Sequence, residues 1–474
     1  MNKTNKTRRS FVRDLTAAAS MLTAGCNAGA RSTKDSRGPS DPADVTLRIG
    51  TVIVEIAKDH AISTIGYNGS VPGPLIRLRE GAPVTVEILN DTDTPELVHW
   101  HGLIVPTDVD GAEEEQSLVA PPHGRLRYRL TPQPSGARYV HTHVMAMSDL
   151  SRGAFTGQFA FVYIEPKSNP GRYDQEIFLA THEWEPYFTT MEEEEEAGEQ
   201  QERQAEPPHG WEVRYRRSTI NGKCLGYGEP VRVKEGQRVL FHLLNASATE
   251  NIRLALPGHH FQVVALDGNP VPHPGSVDAL ELGTAERIDA VVTMNNPGVW
   301  ILGATKDDDR RKGMGIVIEY ANKRGAPRWI TPPKTAWDYT LFGESRQTSK
   351  PDEVIPLVFG LATGSMHGFE QWTINGQTYN AKDQPRTLSR GKRYRLIFDN
   401  QTEDIHPVHL HRDSFELTKA YGRPTSGVIK DVVVVKAYQK IEVDLTPSVE
   451  GLMLFHCHQQ LHMDHGFKML FDVK

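Results

Sequence analysis

Four short clusters contain the side chains best placed to bind a metal ion. In chain order they are His99-Trp100-His101, His141-Thr142-His143, His406-Pro407-Val408-His409-Leu410-His411 and His456-Cys457-His458. Side chains alternate between the two faces of a β-strand, so histidines two residues apart point the same way. Each cluster therefore predicts a strand or strand end that directs two imidazoles at one site.

The last cluster differs because a cysteine lies between its two histidines, and His462 follows five residues after that cysteine. If the stretch is a strand, Cys457 faces one side while His456 and His458 face the other. A thiolate with imidazoles is a ligand set suited to copper, and a His2Cys set is typical of blue-copper electron-transfer centres. The stretch thus predicts one metal site at Cys457 and a second site directly behind it.

Chance histidines on a polar sheet face are the simpler interpretation of any one cluster. Four clusters near opposite ends of the chain make that interpretation untenable for the whole set. The central third contains His242, His259 and His260 but no such pair, so these histidines are predicted to be structural.

The elements that must position these clusters come in three copies. An Asn-Gly turn, a second glycine turn and a strand ending on asparagine recur at intervals of about 150 residues, which indicates duplicated whole domains. The turn asparagines are Asn68, Asn221 and Asn375, and the strand-ending asparagines are Asn90, Asn245 and Asn400. Short alternating strands separated by glycine and proline predict an all-β fold of Greek-key β-sandwich or barrel domains.

Composition agrees with a globular β protein of 474 residues. The net charge of −7, with dispersed basic residues, argues against a nucleic-acid partner. Three cysteines exclude a disulfide framework. We predict domains at 44–166, 167–330 and 331–474, the second beginning with an acidic connector and the third with a linker.

Residues 1–43 are predicted to be an export signal followed by a flexible linker. Arg8-Arg9 resembles a twin-arginine signal, and the apolar segment that follows is too short to span a bilayer, so no transmembrane segment is expected. Cleavage after Ala30 is favoured over a lipid anchor at Cys26. Both place the protein in the periplasm or outside the cell, exported in folded form. The run Glu192–Glu196 is predicted to be a solvated loop.

Together the four clusters, HWHG, HTH, HPVHLH and HCHQQLH, resemble those of the multicopper oxidase family, in its three-domain laccase-like branch. The resemblance covers nearly all of the chain after the signal, and it implies three cupredoxin-like domains and about four copper ions. It implies that one blue copper is held by His406, Cys457 and His462. It implies that a three-copper cluster is held by the eight remaining positions, His99, His101, His141, His143, His409, His411, His456 and His458.

The resemblance also implies a reaction, in which one-electron oxidation of a small donor is coupled to four-electron reduction of dioxygen to water. His462 would present an exposed edge to the donor, and Asp110 and Asp464 are candidates for proton delivery. Many bacterial relatives have glutamate where this chain has Met463, so the part of Asp464 stays open between proton delivery and structure. Phe467 stands where many bacterial members have an axial methionine, which predicts a raised reduction potential.

Phenolic or aromatic donors are the first candidates for the reducing substrate. The alternative is a metallo-oxidase acting on Cu(I), Mn(II) or Fe(II); the methionines are scattered, which weakens Cu(I), while the acidic runs leave Mn(II) and Fe(II) open. A copper-free protein on the same scaffold is disfavoured because no ligand position is missing. A copper nitrite reductase is disfavoured because it lacks the coupled copper pair.

Overall fold

We analysed a computed structural model of the chain, which describes residues 42–167, 173–189, 210–345, 348–366 and 368–474. The predicted export signal, the possible anchor at Cys26 and the run Glu192–Glu196 lie outside the described residues. No helix among the described residues is long and apolar enough to cross a membrane.

The first domain packs two four-stranded sheets against each other. Its strands are β1 Val45–Ala57, β2 His60–Tyr67, β3 Ile76–Arg79, β4 Val84–Asn90, β5 Val98–His101, β6 Gly124–Leu130, β7 Gly136–Thr142 and β8 Phe159–Glu165. The sheets have the orders β2-β1-β4-β6 and β3-β8-β7-β5. The β1–β4 and β3–β8 pairs are parallel, and the other pairs are antiparallel.

The second domain has a six-stranded and a five-stranded sheet. Its strands are β9 Gln175–Thr189, β10 Glu212–Ile220, β11 Val231–Val233, β12 Arg238–Asn245, β13 Ile252–Ala255, β14 Phe261–Leu266, β15 Asn269–Val277, β16 Ala279–Leu282, β17 Arg287–Thr293, β18 Val299–Ala304 and β19 Gly315–Tyr320. The orders are β10-β9-β12-β17-β14-β15 and β11-β19-β18-β13-β16.

The third domain has the same topology as the second domain, with each strand in the corresponding place. Its strands are β20 Glu353–Met366, β21 Phe369–Ile374, β22 Arg386–Leu388, β23 Tyr394–Asn400, β24 His406–Leu410, β25 Phe415–Ala420, β26 Arg423–Lys430, β27 Val432–Val435, β28 Lys440–Leu445, β29 Gly451–Cys457 and β30 Lys468–Val473. The orders are β21-β20-β23-β28-β25-β26 and β22-β30-β29-β24-β27.

Helix is confined to short segments among the described residues. These are α1 Thr107–Asp110, α2 Asp307–Lys312 and α3 Gln460–Asp464, with 3-10 turns at Gly153–Phe155 and Tyr339–Leu341. The all-β prediction is therefore confirmed. Each pair of sheets lies within one of the three predicted ranges, while the domain limits themselves stay a prediction.

The repeated Asn-Gly turns do the same work in each domain. The asparagines have φ angles of 52°, 52° and 54°, a left-handed conformation that asparagine tolerates. In the second domain, Asn221 Oδ1 accepts from the Ala180 N–H and its Nδ2 donates to the Phe178 carbonyl, both at 2.8 Å. The equivalent bonds of Asn68 and Asn375 tie their turns to the neighbouring strand.

The strand-ending asparagines hold the loops that lead to the histidine clusters. Asn400 Oδ1 accepts from the Thr402 N–H at 3.0 Å, and its Nδ2 donates to the Asp404 carbonyl at 2.7 Å. Asn90 makes the same pair of bonds in the loop before His99. Two of the repeated asparagines therefore fix the loops that lead to the histidine clusters at His99 and His406.

The largest apolar core runs from the second domain into the third without a break. Tyr339 and Phe342, in the segment that connects the two domains, are fully buried in it. The first domain has its own core around Trp100 and Val140. The chain thus joins two tightly fused domains to a first domain whose contacts with them include buried polar groups.

Candidate metal centres

The first candidate centre is built from the third domain alone. The Cys457 Sγ lies 3.8 Å from His406 Nδ1 and 3.6 Å from His462 Nδ1, and the two Nδ1 atoms are 3.2 Å apart. All three side chains are buried. We call these residues the cysteine set; their three donor atoms converge on one point.

Two adjacent strands and a helix position the cysteine set. His406 begins β24, Cys457 ends the neighbouring β29, and Val408 is paired with Cys457 in the sheet. His462 lies on α3 rather than on a strand, so the strand predicted for the C-terminal stretch ends at Cys457. The His406 ring is fixed because its Nε2 lies 2.8 Å from the Thr402 hydroxyl, which leaves Nδ1 for the metal.

The expectation that His462 presents an exposed edge is wrong. Its side chain is 3% exposed, and the Trp372 ring lies 4.1 Å from the imidazole. Leu461 and Phe369 belong to an apolar cluster that also takes in Val213 of the second domain. Trp372 of β21 therefore covers this histidine, which a reading of the stretch alone could not reveal.

Phe467 occupies the apolar side of the cysteine set. Its ring is fully buried, 4.8 Å from the His406 ring and 5.9 Å from Trp372. Its backbone carbonyl accepts from the Cys457 N–H at 3.0 Å, and its own N–H donates to the His462 carbonyl at 3.0 Å. Phe467 thus pins the loop that carries two of the three donors, while its side chain offers no ligand atom.

The second candidate centre lies between the first and third domains. Strand pairing aligns His99 with His141 in the first domain and His409 with His456 in the third. We call the eight buried histidines gathered here the histidine cluster: His99, His101, His141, His143, His409, His411, His456 and His458. Groups from both domains meet in it, because His99 Nε2 lies 3.4 Å from His409 Nε2.

Backbone carbonyls fix the orientation of half the rings in the histidine cluster. His99, His141, His409 and His456 each donate Nδ1–H to a carbonyl at 2.8 Å. That bond leaves a lone pair on the Nε2 of each ring. Within the cluster, the Nε2 of one of these rings, His456, lies 3.0 Å from the Nε2 of His411, so the two ring nitrogens face each other.

Two carboxylates orient further rings of the cluster. Asp110 is fully buried, and its Oδ2 accepts from His411 Nδ1 at 2.7 Å while its carbonyl accepts from His99. The structure therefore brings the predicted Asp110 into contact with rings from both domains. Asp431, which sequence reasoning missed, accepts from His101 Nε2 at 3.0 Å.

Glu115 is a further buried carboxylate beside the histidine cluster that local sequence does not reveal. It is 1% exposed, and its Oε1 accepts from the Leu454 N–H at 2.6 Å and lies 3.7 Å from His411 Nδ1. Burial and the nearby Asp110 carboxylate raise the pKa of Glu115 well above its usual value. Nothing in the local sequence distinguishes this glutamate from Glu113 and Glu114.

Tyr139 is a second missed residue, and alternation could have found it. It lies two residues before His141 on β7, so both face the cluster. Its ring stacks on His141 at 4.7 Å, and its hydroxyl lies 3.1 Å from His458 Nε2.

Asp464 lies on α3 and faces a loop of the first domain. Its Oδ2 accepts from the N–H groups of Ala146 and Met147 at 2.8 and 2.7 Å, and its Oδ1 accepts from Gln460 at 2.9 Å. Burial raises its pKa to about 6. These bonds join α3 to the first domain.

Comparison with known proteins adds to this geometry. Three sequence profiles, each described as multicopper oxidase, match residues 49–169, 187–322 and 352–474. The chain belongs to the multicopper oxidase family. A relative named multicopper oxidase MmcO, from Mycobacterium tuberculosis, is 29% identical over 97% of this chain and 93% of its own length.

Solved multicopper oxidases share the fold, which confirms three cupredoxin-like domains. A laccase from Botrytis aclada matches with a TM-score of 0.71 at 17% identity, covering 91% of this chain and 88% of its own. A multicopper oxidase from Campylobacter jejuni, described as a metallo-oxidase, matches with a TM-score of 0.69 at 20% identity over 94% of both chains.

The donors of this multicopper oxidase fit copper, which the family implies. His101 Nδ1, His141 Nε2, His143 Nε2 and His458 Nδ1 are buried without a hydrogen-bond partner, as atoms awaiting a metal would be. Burial, followed by repulsion from neighbouring rings, lowers the pKa of most cluster histidines well below the usual value. Neutral imidazoles are the form that binds metal ions.

Proposed function

We propose that this multicopper oxidase takes single electrons from a small donor at the cysteine set and uses four of them to reduce dioxygen to water at the histidine cluster. The observation that carries the proposal is that both centres take residues from the C-terminal end of β29. Cys457 belongs to one set, and its neighbours His456 and His458 belong to the other. One peptide unit on either side of the thiolate therefore connects the two centres.

Copper, when bound, would supply one-electron exchange at the thiolate and multi-electron reduction of oxygen at the cluster. About four ions would fill the two sets of donors, since three donors suit one ion and eight histidines suit three. The residues keep both sites dry and preorganised. His406, Cys457 and His462 hold their donor atoms within 4 Å of one another, and burial raises the pKa of the Cys457 thiol, so a bound cation is needed to keep it ionised.

Phenolic or aromatic compounds are our first candidate donors. Phe467 supports them because an apolar group in place of a thioether destabilises the oxidised copper and raises its potential. Since His462 is covered, such a donor would transfer its electron without touching that ring. Ile405, which precedes His406, is 37% exposed and offers an apolar surface beside the cysteine set.

Metal ions are the second candidate donors, and one cavity favours them. A cavity of about 440 Å³ lies between the second and third domains, beside Ile405 and Gln459. Five carboxylates line it, from Glu212, Glu250, Glu370, Glu403 and Asp404, together with Arg214. Burial and the neighbouring Asp404 raise the pKa of Glu212 to about 7. With five carboxylates against one arginine, this surface attracts Fe(II) or Mn(II) more strongly than a neutral phenol, and most strongly above about pH 7, where Glu212 is ionised.

Oxygen uptake distinguishes the two donor classes. The full chain, loaded with copper, would be supplied in parallel with 2,6-dimethoxyphenol, Fe(II), Mn(II) and Cu(I). Uptake with the phenol at the highest kcat/KM supports the first candidate, and uptake with metal ions alone overturns it. No uptake with any donor, by protein carrying a full copper load, would overturn the oxidase proposal.

The cavity itself can be tested with Glu212→Gln combined with Glu250→Gln. If metal ions bind there, each lost carboxylate should raise the KM for Fe(II) or Mn(II) about tenfold, equivalent to ~1.4 kcal/mol. The KM for the phenol should not change. Glu229→Gln is the matched control, because its side chain is 89% exposed in the second domain and does not line this cavity.

We also propose that the protein is exported in folded form. The support is the N-terminal Arg8-Arg9 with its short apolar segment. Replacing both arginines with lysine should leave the protein in the cytoplasm in cell fractionation. Mass spectrometry of exported protein would then separate cleavage after Ala30 from lipidation at Cys26.

A further inference from the structure

No donor of either centre comes from the described part of the second domain, yet its Arg287 and Asp267 contact Asp431, which holds two rings of the histidine cluster. They do so at a buried junction where all three domains meet. We call this the arginine–aspartate junction, and define it by Arg138 of the first domain, Asp267 and Arg287 of the second, and Asp431 of the third. All four side chains are fully buried.

Asp431 contacts two rings that come from different domains. Its Oδ1 accepts from His101 Nε2 at 3.0 Å, and its backbone carbonyl accepts from His409 Nδ1 at 2.8 Å. The two rings stack at 3.7 Å with an interplanar angle of 15°. One residue therefore fixes the orientation of a ring pair that spans the interface between the first and third domains.

The His101 contact also decides which of its nitrogens faces the cluster. Because Nε2 carries the proton donated to Asp431, Nδ1 keeps a lone pair. That Nδ1 is buried and has no hydrogen-bond partner. A ligand histidine whose second nitrogen donates to a carboxylate is held in one tautomer and one orientation.

Arg287 in turn fixes the carboxylate of Asp431. Its two terminal nitrogens contact the two carboxylate oxygens at 2.7 and 2.6 Å, a bidentate pair. Arg287 begins β17, and its Nη1 also donates to the Ala285 carbonyl at 3.0 Å, so the second domain holds the guanidinium in place. Asp267 Oδ2 accepts from the Asp431 N–H at 3.2 Å, which ties the backbone of Asp431 to the same domain.

We propose that Arg287 is a positioning residue for the histidine cluster, acting through the Asp431 carboxylate to orient His101, on which His409 stacks. The second domain, although it holds no donor, thereby sets the metal affinity of a site shared by the other two. This inference rests on the proposed copper function of the cluster and adds the residue that aligns it.

The test measures copper affinity rather than activity. Full-length wild-type protein and Arg287→Met would be loaded with copper and then titrated with a chelator, with copper content and blue absorption followed together. Replacing an outer partner of a ligand histidine typically costs 10–100-fold in metal affinity. We expect a loss of about that size for cluster copper, with the blue absorption of the cysteine set unchanged.

Arg287→Lys keeps the charge but loses the bidentate geometry. The copper affinity of its histidine cluster should therefore fall between those of the wild type and Arg287→Met. The lysine variant also provides the test if Arg287→Met does not fold. Glu286→Gln is the matched control, since Glu286 is buried beside the arginine–aspartate junction but contacts Lys430 and Tyr339 rather than Asp431 or a ring of the cluster. Its copper affinity should equal that of the wild type even if its melting temperature falls.

Two results would overturn the inference. One is unchanged cluster affinity in a folded Arg287 variant. The other is general loosening of the domains, shown either by a loss of blue absorption in parallel with cluster copper or by an equal loss of cluster copper in Glu286→Gln. Wild-type protein that binds no cluster copper would instead refute the proposed function itself, so the two failures are distinguishable.

Discussion

The cysteine set and the histidine cluster are built in contrasting ways. Every donor of the cysteine set comes from the third domain. Two lie at the ends of the neighbouring strands β24 and β29, and the third lies on α3, the helix that follows β29. The histidine cluster takes four rings from the first domain and four from the third, and residues of the second domain contact Asp431 behind it. A site made within one domain depends on local packing, whereas a shared site depends on the alignment of domains. Changes to the two sites should therefore have separable effects.

Cys457→Ser should give the largest effect and should break the link between the two centres. It removes the thiolate of one set while leaving every histidine of the other. Because it removes a ligand itself, the loss of oxygen uptake should exceed the 10–100-fold typical of changes to outer partners. Steady-state oxygen uptake checks this. Retention of more than about a tenth of the wild-type rate would contradict the proposed route of electrons.

Asp110→Ala should damage the histidine cluster and spare the cysteine set. It leaves His411 Nδ1 without its fixed acceptor, so cluster copper affinity and oxygen uptake should fall about 10–100-fold. Blue absorption should stay at the wild-type intensity. Asp464→Asn is the control, because Asp464 is also a buried carboxylate but contacts Gln460 and a loop of the first domain. An equal effect of both variants on cluster copper would contradict this assignment.

Phe467→Met should do the reverse of Asp110→Ala: it should alter the cysteine set and spare the histidine cluster. A thioether near the metal stabilises the oxidised ion, so the reduction potential of the blue centre should fall. A redox titration followed by blue absorption measures this. Cluster copper content should be unchanged. An unaltered potential would show that the side chain at position 467 does not tune the blue centre.

His242→Gln should alter stability without altering either centre. Burial alone would lower the pKa of His242, but Asp289 and Glu176 raise it to about 9. A folded-state pKa above the usual 6.5 stabilises the protein fully below about pH 6.5, and this contribution is lost as the pH rises through about 9. The variant should therefore be less stable than the wild type at about pH 6. The difference between their unfolding free energies should shrink by on the order of 3 kcal/mol as the pH rises to about 10.

Urea unfolding of both proteins across that range checks the sign. A deficit that is constant with pH, or that grows as the pH rises, would contradict the raised pKa. Equal copper content in wild type and variant would show that this buried charge group is independent of the metal sites.

Local pattern was enough to predict the strands, the triplicated turns and the histidine pairs that share a face. The alternation of side chains placed His99 with His101 and His456 with His458, and the structure gathers them as that rule requires. The repeated asparagines marked the turns because each makes the same bonds in its own domain. These features depend on neighbours in sequence, which is why the sequence reveals them.

What the sequence could not reveal depends on contacts between domains. Asp431 looks like an ordinary residue before a valine-rich strand, and Arg287 lies about 140 residues away from it in sequence. The burial of His462 follows from Trp372, 90 residues away in sequence. No local pattern encodes these long-range contacts.

Copper content of wild-type protein and Cys457→Ser, measured together with blue absorption, tests the central claim most directly. The account predicts about four copper ions per chain in the wild type and about three in the variant, with the blue absorption lost completely. It would be contradicted by wild-type protein with far fewer ions. A variant that loses cluster copper along with the blue centre would equally contradict two separately built sites joined at one strand end.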